Sequence, residues 1–355
     1  MTAAAAVPTV GPKHRQRLGF LDALRGLAAL AVVVQHGGER VSAGFREVTG
    51  SAVQLGQLGV LAFFLVSGFV IPLSLERGGL RRFAVTRVAR LYPAYWTSLV
   101  LVAVAWQAGV LQIPGEFRHG LGPWLVESTM LQSFLGVPQL QGQYWSLAFE
   151  VIFYALAALL YALRLHTHTV GLALAALGTA VAAHVLGRVT QTTVPLGLAN
   201  VASMFVGTVL FRVASGDVPA RTGWRVYAAG AVAVQAVLVL RLRGHTDAST
   251  GGTLTLGPMV GAWAGAYLVF AAGFALRSRA VPRWLAWTGL ISYSVYLLHP
   301  LVMSAVGEVG NAAVTMAVWV TLTLAAAAVA HRLVEAPGIR AGRALAQRLA
   351  PNRRE

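Results

Sequence analysis

The stretch FLDALRGLAALAVVVQHGG, residues 20–38, decides the fold class because it is apolar and long enough to cross a bilayer. Two ionisable side chains interrupt it, Arg25 and His36. Their separation of eleven residues exceeds three helical turns by only about 20°, so both should project from one face, about 16 Å apart along the axis. Ionisable groups inside a spanning helix are costly and usually mark a substrate or proton pathway. The pair therefore marks the candidate functional site.

The composition is that of an integral membrane protein. Of the 355 residues, 57% are hydrophobic and 11% are charged, and the mean hydropathy is +0.66. Stretches of about twenty apolar residues recur along the chain, which excludes a soluble core. The sequence contains no cysteine, so disulfides, thiolate catalysis and thiolate metal sites are excluded. It also lacks the HExxH zinc motif, a Gly-rich phosphate loop and the GxSxG nucleophile elbow, and we predict no metal site.

Apolar windows between charged or Gly/Pro-rich breaks predict an all-α, polytopic membrane helix bundle with about ten transmembrane helices. The predicted spans lie near 18–37, 54–75, 93–112, 144–163, 168–187, 194–212, 225–242, 255–276, 284–305 and 311–333. Residues 120–138 are apolar but short and carry Glu127, so we expect an interfacial or re-entrant helix there. The predicted domains are a disordered cytoplasmic tail (1–17), one transmembrane domain (18–335) and a basic cytoplasmic tail (336–355).

The distribution of basic residues predicts the orientation of the bundle. If the basic N-terminal segment is cytoplasmic, alternation of the spans puts 21 Lys and Arg residues on the cytoplasmic side and six on the other, with Arg25 inside the first span. This asymmetry predicts that both termini are cytoplasmic. The net charge of +16 fits contact with anionic lipid. We expect membrane lipid as a partner, and no nucleic acid.

Three predicted spans should bring ionisable groups to one depth of the membrane. His36 lies near the outer end of the first span, Glu150 follows Trp145 at the start of the fourth, and His299 lies in the outer third of the ninth. His36 suits general-base chemistry, because a neutral imidazole can take the proton of an attacking hydroxyl. Glu150 could orient that ring or hold a polar substrate. Simpler alternatives stay open, namely hydrogen bonds within the bundle for both residues and the headgroup belt for Trp145.

Small and basic residues mark the cytoplasmic half of the second and third spans. Ser67 and Gly68 either permit close helix packing or leave a slot for a thin chain. The segment RRFAVTRVARLYPAYW (81–96) follows, and in it Arg87 and Arg90 share one helix face. This cluster fits either positive-inside anchoring or a clamp for phosphates, which guanidinium groups bind bidentately.

Together these segments resemble the acyltransferase 3 family, bacterial ten-helix membrane proteins that transfer acyl groups to hydroxyls of glycans and natural products. The segments that carry the resemblance are LDALRGLAALAVVVQH (21–36), FFLVSGFVI (63–71), RRFAVTRVARLYPAYW (81–96), YWSLAFEVIFY (144–154), ISYSVYLLHP (291–300) and HRLVEAPGIR (331–340). They occur in the family's order over nearly the whole chain. Gln35 and Ala336 depart from the common pattern, and neither touches the expected chemistry.

The resemblance implies an acyl-CoA co-substrate, with acetyl-CoA expected and no permanently bound cofactor, and a hydroxyl-bearing glycan or natural product as acceptor. It implies a multi-pass protein of the bacterial cytoplasmic (inner) membrane. The implied catalytic residues are His36, Arg25, Glu150 and Trp145. We expect donor binding at Arg87, Arg90, Ser67, Gly68 and Phe64, and acceptor binding or support at Tyr144, Tyr293, His299 and Glu335.

These expectations suggest one arrangement of the donor. The phosphates of CoA should stay at Arg87 and Arg90, because so charged a molecule does not cross lipid. Its pantetheine arm, about 20 Å when extended, could then bring the thioester past Ser67 to His36, while the acceptor arrives from the other face. Arg25 could bind the arm or, like Trp145, stabilise the oxyanion.

Other interpretations of the sequence are also tenable. For Glu335, a local ion pair with its neighbours His331 and Arg332 is the simplest reading. The acceptor could be a small metabolite such as a macrolide sugar in place of an envelope polysaccharide. A transporter or exporter of a lipid-linked or glycan intermediate would also use buried charge, and it predicts paired broken helices in two related halves.

Overall fold

The computed structural model describes residues 12–243 and 254–349, and the regular elements of this part of the chain are helical. In chain order the α-helices are α1 (Pro12–Val41), α2 (Ala43–Ser51), α3 (Leu55–Gln107), α4 (Leu121–Ser128), α5 (Trp145–Ala162), α6 (Thr169–Thr190), α7 (Gly197–Ser215), α8 (Ala220–Leu242), α9 (Leu256–Ala275), α10 (Arg283–Leu290), α11 (Ser292–Val306), α12 (Ala312–Ala330) and α13 (Ala336–Arg348). A π-helical turn, His331–Glu335, joins α12 to α13.

Both predicted tails contain helix. α1 begins at Pro12, inside the segment 1–17 for which disorder was predicted, and the rest of that segment lies outside the described residues. The basic segment 336–355 forms α13 over most of its length. The division of the chain into two tails and one membrane domain stays a prediction.

Helices of membrane-spanning length dominate the fold. Eight helical segments of the described chain are long and apolar enough to cross a membrane, or nine if the bent pair α10 and α11 is one span. α3 has 53 residues, about 80 Å at the α-helical rise, whereas the bilayer core is about 30 Å thick. Its backbone leaves the helical region at Gly79, with φ 65° and ψ 178°, and Ser67 and Arg87 on either side line one cavity. α3 therefore folds back on itself and contains the predicted spans 54–75 and 93–112.

The predicted span 284–305 is not one straight helix. α10 and α11 meet at 72°, and the residue between them, Ile291, has a ψ of 3°. α10 lies against α1 so closely that a Cβ on Gly289 would be 1.9 Å from the carbonyl oxygen of Asp22. This contact holds α10 across α1, while α11 runs into the bundle and carries His299. Hydropathy reports how apolar a segment is and not its direction, so the sequence did not predict the bend.

Aromatic rings join α1, α3, α7 and α9 around one core. The ring of Phe69 on α3 lies edge-on to those of Phe20 at 5.6 Å, Phe211 at 5.7 Å and Phe274 at 6.1 Å between ring centroids. Each edge-to-face pair contributes about 0.5–1.5 kcal/mol beyond its buried area. The core fixes the two helices, α1 and the first half of α3, that carry many of the predicted site residues.

The connection between α3 and α5 stays at one end of the bundle. Its helix α4 has eight residues, too few to span a bilayer, as predicted for 120–138. Glu127 on α4 is fully buried, and its Oε1 lies 3.4 Å from both the Tyr95 hydroxyl and the Leu140 amide nitrogen. Burial raises the pKa of Glu127 to about 8. The buried carboxyl is therefore mostly protonated at neutral pH.

Contacts between loops agree with the predicted alternation of the spans. The guanidinium of Arg212 lies 2.5 Å from Glu76 and 3.1 Å from Asp217, and it donates a hydrogen bond to the carbonyl oxygen of His166. These residues belong to three connections that the sequence assigns to the cytoplasmic side. The three connections share one end of the bundle, and the side of the membrane that this end faces stays a prediction.

Candidate active site

Three cavities follow one another through the bundle. We call them the arginine cavity, of about 800 Å³, the central cavity, of about 640 Å³, and the histidine cavity, of about 550 Å³. The polar side chains that define them are Arg77, Arg82, Arg87, Arg90 and Arg343 for the arginine cavity, Arg25, Ser67, Glu150 and Tyr154 for the central cavity, and Gln35, His36, Glu39, Gln54, Gln57 and Gln143 for the histidine cavity. Arg87 and Arg90 line both of the first two cavities, and Val60 and Tyr296 line both of the last two. The series leads from the basic end of the bundle to His36.

Five arginine side chains surround the arginine cavity, and within the described chain no carboxylate lines it. Four of them belong to α3 around its reversal, and the fifth, Arg343, belongs to α13. α13 packs directly on α3, since a Cβ on Gly338 would lie 2.7 Å from the carbonyl oxygen of Ala89. Guanidinium groups bind phosphate oxygens in pairs. The cavity is therefore suited to a multiply charged anion, and Arg343 is a contributor that the sequence did not predict.

The central cavity combines three guanidinium groups with one carboxylate. Arg25 comes from α1, Arg87 and Arg90 from α3, and Glu150 from α5. The Glu150 Oε1 accepts a hydrogen bond of 3.0 Å from the Ser67 hydroxyl and a second one from a tyrosine on its own helix. The carboxylate is thus held on two sides. The excess of positive charge favours an anionic or electron-rich ligand.

Arg25 has a partner within its own helix. Its side chain is 15% exposed and lies 3.9 Å from the carboxylate of Asp22, three residues earlier. A charge so deeply placed needs such a partner, because desolvation is costly. Tyr293 also lines the central cavity, and its hydroxyl donates to the carbonyl oxygen of Leu91 over 3.1 Å. Three of the residues that the sequence proposed for the site therefore line one cavity, namely Arg25, Phe64 and Tyr293.

His36 and His299 form a direct pair. The Nδ1 of His36 lies 2.7 Å from the Nε2 of His299, and the rings are nearly parallel, with centroids 5.0 Å apart. The Nδ1 of His299 faces two backbone carbonyl oxygens, that of Tyr296 at 2.9 Å and that of Val295 at 3.2 Å. His299, and not Glu150, contacts the His36 ring.

These contacts assign the tautomers when both rings are neutral. Carbonyl oxygens only accept hydrogen bonds, so the Nδ1 of His299 carries its proton and its Nε2 is an acceptor. The Nδ1 of His36 must then be the donor to His299. The remaining ring nitrogen, the Nε2 of His36, keeps a free lone pair, and His36 lines the histidine cavity. The arrangement provides a base at the edge of that cavity.

Glutamines give the histidine cavity much of its polar wall. The Nε2 of Gln35 donates to the Oε1 of Gln54 over 2.9 Å and also to Glu39, and the Oε1 of Gln35 accepts from the Leu55 amide over 2.8 Å. The Thr49 hydroxyl donates to the Oε1 of Glu39 over 2.8 Å. This network ties the end of α1 to the start of α3.

Two of the predicted residues serve the packing around the cavities. Gly68 faces α7, where a Cβ would lie 1.8 Å from the carbonyl oxygen of Met204. The two backbones are therefore in contact, which agrees with the alternative of close helix packing, and a role of Gly68 in donor binding stays a prediction. Trp145 packs edge-on against Phe64, with ring centroids 6.4 Å apart, and it supports the wall of the central cavity from behind.

Two further predicted residues lie in separate hydrogen-bonded groups. Tyr144 is fully buried, and its hydroxyl lies 2.9 Å from that of Ser98. Glu335 is also buried, and its Oε2 accepts from the Ser294 hydroxyl over 2.9 Å and lies 3.1 Å from the Nδ1 of His331. The last contact is the local pair expected from the sequence. Both residues anchor helices next to the cavities and do not line them.

Sequence reasoning missed several residues of the site. Tyr154, whose hydroxyl donates to Glu150, lies one helical turn after it, and this spacing could have predicted the contact. Tyr296 precedes His299 by three residues and could have been found in the same way. The glutamines of the histidine cavity come from helix ends and a loop, where no periodic pattern predicts a position, and only the fold brings them next to His36.

Comparison with known proteins identifies the family. Residues 18–331 match a family model described as an acyltransferase domain. The exopolysaccharide production protein ExoZ of Rhizobium meliloti is 28% identical over 316 residues, which are 84% of this chain and 94% of that protein. The acyltransferase MdmB of Streptomyces mycarofaciens is 32% identical over 166 residues, which are 43% of this chain and 41% of that protein. No solved structure gives a significant match. Since the family model covers most of the sequence, this multi-pass membrane protein belongs to the acyltransferase 3 family.

Proposed function

We propose that this protein is an O-acyltransferase of the bacterial cytoplasmic membrane. It moves a short acyl group, with acetyl as the best candidate, from acyl-CoA to a hydroxyl of a carbohydrate or a glycosylated natural product. Family membership supports acyl transfer. The observation that supports the donor and the hydroxyl acceptor is the His36–His299 contact of 2.7 Å. It holds a base in the histidine cavity, which adjoins the central cavity and, beyond that, the arginine cavity.

The donor enters from the arginine cavity. Its phosphates bind Arg87 and Arg90, which line both this cavity and the next. The extended pantetheine arm, about 20 Å long, passes Ser67 and Phe64 in the central cavity. This length is comparable with the roughly 16 Å of helix between Arg25 and His36. The thioester thus reaches Val60 and Tyr296, which line both the central cavity and the histidine cavity.

The transfer is one substitution at the thioester carbonyl. The Nε2 of His36 takes the proton of the acceptor hydroxyl as the hydroxyl oxygen attacks the carbonyl carbon. The carbon–oxygen bond forms and the carbon–sulfur bond breaks. The proton then passes from His36 to the leaving thiolate, which gives CoA as the free thiol. His299 accepts a hydrogen bond from the Nδ1 of His36 throughout and so stabilises the transient imidazolium.

Arg25 acts on the donor arm in this proposal. It lines the central cavity, whereas His36 lines the histidine cavity. The roughly 16 Å of helix between them exceeds the reach of an arginine side chain. An oxyanion that forms beside His36 is therefore beyond the Arg25 guanidinium, while the arm that approaches it is not. Its carboxylate neighbour Asp22, 3.9 Å away, offsets part of the cost of burying that charge.

A carbohydrate acceptor has support from one relative. ExoZ, which aligns over 84% of this chain, is named for exopolysaccharide production. The polar, glutamine-rich histidine cavity is compatible with such an acceptor. MdmB, named as an acyltransferase, supports the transfer without indicating the acceptor.

The proposal is tested with purified protein in nanodiscs and labelled acetyl-CoA. We expect acceptor-dependent transfer of the label to hydroxyls, with release of free CoA. His36→Ala should fold and bind CoA as the wild type does, but transfer should fall by about 10²–10⁴-fold because the base is gone. The measurements are label transfer, CoA affinity and thermal unfolding.

The matched control is His184→Ala, another buried histidine, on α6, whose Nδ1 lies 2.7 Å from the Ala180 carbonyl oxygen. It should keep full transfer activity. Activity retained in His36→Ala would remove the general-base role. Folded wild-type protein that neither binds nor turns over any short acyl-CoA would overturn the proposal as a whole.

The exporter alternative receives no support from the fold. It predicts paired broken helices in two related halves. Residues 12–243 and 254–349 contain a single bent pair, α10 with α11. The acyltransferase function is accordingly the conclusion drawn from the site.

A further inference from the structure

The histidine cavity differs in chemistry from the two cavities before it. Four glutamine amides and one carboxylate, Glu39, contribute to its lining, and within the described chain no arginine or lysine does so. Amide groups both donate and accept hydrogen bonds, as hydroxyl groups do. The cavity suits a neutral ligand rich in hydroxyls and not the phosphates of CoA.

Two of the glutamines are already occupied by the protein. Gln35 uses both its amide nitrogen and its oxygen in bonds to other residues. The Nε2 of Gln54 donates to the Thr49 carbonyl oxygen over 3.0 Å, and its Oε1 accepts from Gln35. These side chains form a fixed wall. They shape the cavity, and the amide nitrogen of each already donates to another residue.

Of the other two glutamines, Gln57 is partly exposed. Gln143 is only 5% exposed, yet its Nε2 has no hydrogen-bond partner among the residues that the structure describes. Its backbone carbonyl oxygen accepts a hydrogen bond from the Tyr296 hydroxyl over 2.6 Å. This bond ties Gln143 to α11, the helix that also carries His299. A buried amide group without a partner is unfavourable. An oxygen atom of a ligand in the cavity would satisfy it.

We infer that the histidine cavity is the acceptor site and that Gln143 determines its specificity. The Nε2 of Gln143 donates to one oxygen of a neutral polyhydroxyl acceptor, such as a sugar ring, while a neighbouring hydroxyl of that ring faces the Nε2 of His36. The inference rests on the proposed function for the chemical step. It adds the cavity in which the acceptor binds and the residue that recognises it.

The test measures binding, so that it does not depend on turnover. Saturation-transfer NMR is recorded for the protein in nanodiscs with a panel of methyl hexopyranosides and, for comparison, with methyl tetra-O-methyl-glucopyranoside, in which the hydroxyls are capped. We expect at least one free glycoside to bind and the capped one not to bind. Gln143→Leu, which keeps the size of the side chain, should weaken this binding about tenfold and leave CoA affinity unchanged.

The matched control is Gln235→Leu. Gln235 lies on α8, away from the cavities of the site, and its buried Oε1 likewise has no partner among the described residues. This variant should bind glycosides as the wild type does. Three results would overturn the inference: no glycoside binds the folded wild type, the two Leu variants bind glycosides equally well, or Gln143→Leu weakens CoA and not the glycoside. Acetyl-CoA turnover, measured separately, reports on the proposed function, so failure of one is distinguishable from failure of the other.

Discussion

Two backbone carbonyl oxygens on α11 fix the tautomer of His299, and His299 in turn determines which nitrogen of His36 can act as a base. The sequence predicted that both histidines lie at one depth, because each stands near the end of an apolar span. Depth does not specify which helices are neighbours or which rotamer a ring adopts. The contact of 2.7 Å and the tautomers that follow from it therefore required the structure. The same limit applies to Gly68, whose small size predicted a gap as readily as the backbone contact that occurs.

At this scale we predict the effect of His299→Phe, which keeps a ring and removes both nitrogens. His36 would lose the acceptor that fixes its tautomer, so kcat should fall about 10–100-fold, as for other groups that orient a histidine. The KM for acetyl-CoA should stay constant. His299→Gln, which restores an acceptor oxygen, should recover part of the activity. Equal loss in both variants, or a changed KM for the donor, would indicate a role in packing alone.

At the scale of helices, the reversal at Gly79 and the bend between α10 and α11 position the site. The first returns Arg87 to the level of Ser67, and the second directs His299 at α1. Hydropathy predicted where helices occur, since apolar length is a property of the sequence alone. The two changes of direction depend on backbone angles and on close contacts such as that of Gly289 with α1. A hydropathy average over twenty residues contains no information about such backbone angles and contacts.

Glu127 on the short helix α4 should make the stability of the folded protein depend on pH. In the folded protein Glu127 keeps its proton up to its raised pKa of about 8, whereas the unperturbed value is 4.5. The folded state therefore binds more protons between these values, and the free energy of unfolding should fall as the pH rises from 4.5 to 8, by up to about 1.4 kcal/mol per pH unit. Glu127→Gln, neutral at every pH, should lose this dependence.

Thermal unfolding in detergent between pH 5 and pH 9 measures the effect. Glu116→Gln is the control, because Glu116 is an exposed residue of the same connection. If wild type and Glu127→Gln lose stability in parallel as the pH rises, Glu127 does not carry the proton.

At the scale of the whole molecule, the row of cavities begins at the end of the bundle that is rich in arginine and ends at His36. The sequence predicted the class and the orientation, because apolar length and positive charge are counted directly. It also predicted a route from Arg87 towards His36, but not its division into three cavities, since their walls combine residues from distant parts of the chain. Arg343, from the last helix, is one example.

The orientation can be measured with single cysteines, since the natural sequence contains none. Thr190→Cys at the end of α6 and Ser215→Cys at the end of α7 replace exposed residues at opposite ends of the bundle. If both termini are cytoplasmic, a membrane-impermeant maleimide added to intact cells should label Thr190→Cys and leave Ser215→Cys unlabelled until the cells are opened. The reverse pattern would invert the proposed entry of the donor.

Val60 and Tyr296, which stand between the central and histidine cavities, also have an electrical consequence. Both are buried, and the Tyr296 hydroxyl is engaged by Ser146 at 2.7 Å and Gln143 at 2.6 Å. A row of polar chambers through a membrane would conduct protons if water filled it without interruption, and a narrow apolar constriction prevents this by dewetting. In the proposed function, Val60 and the ring of Tyr296 would interrupt such a column of water between the two cavities, and the thioester carbonyl has to pass between them to reach the acceptor hydroxyl.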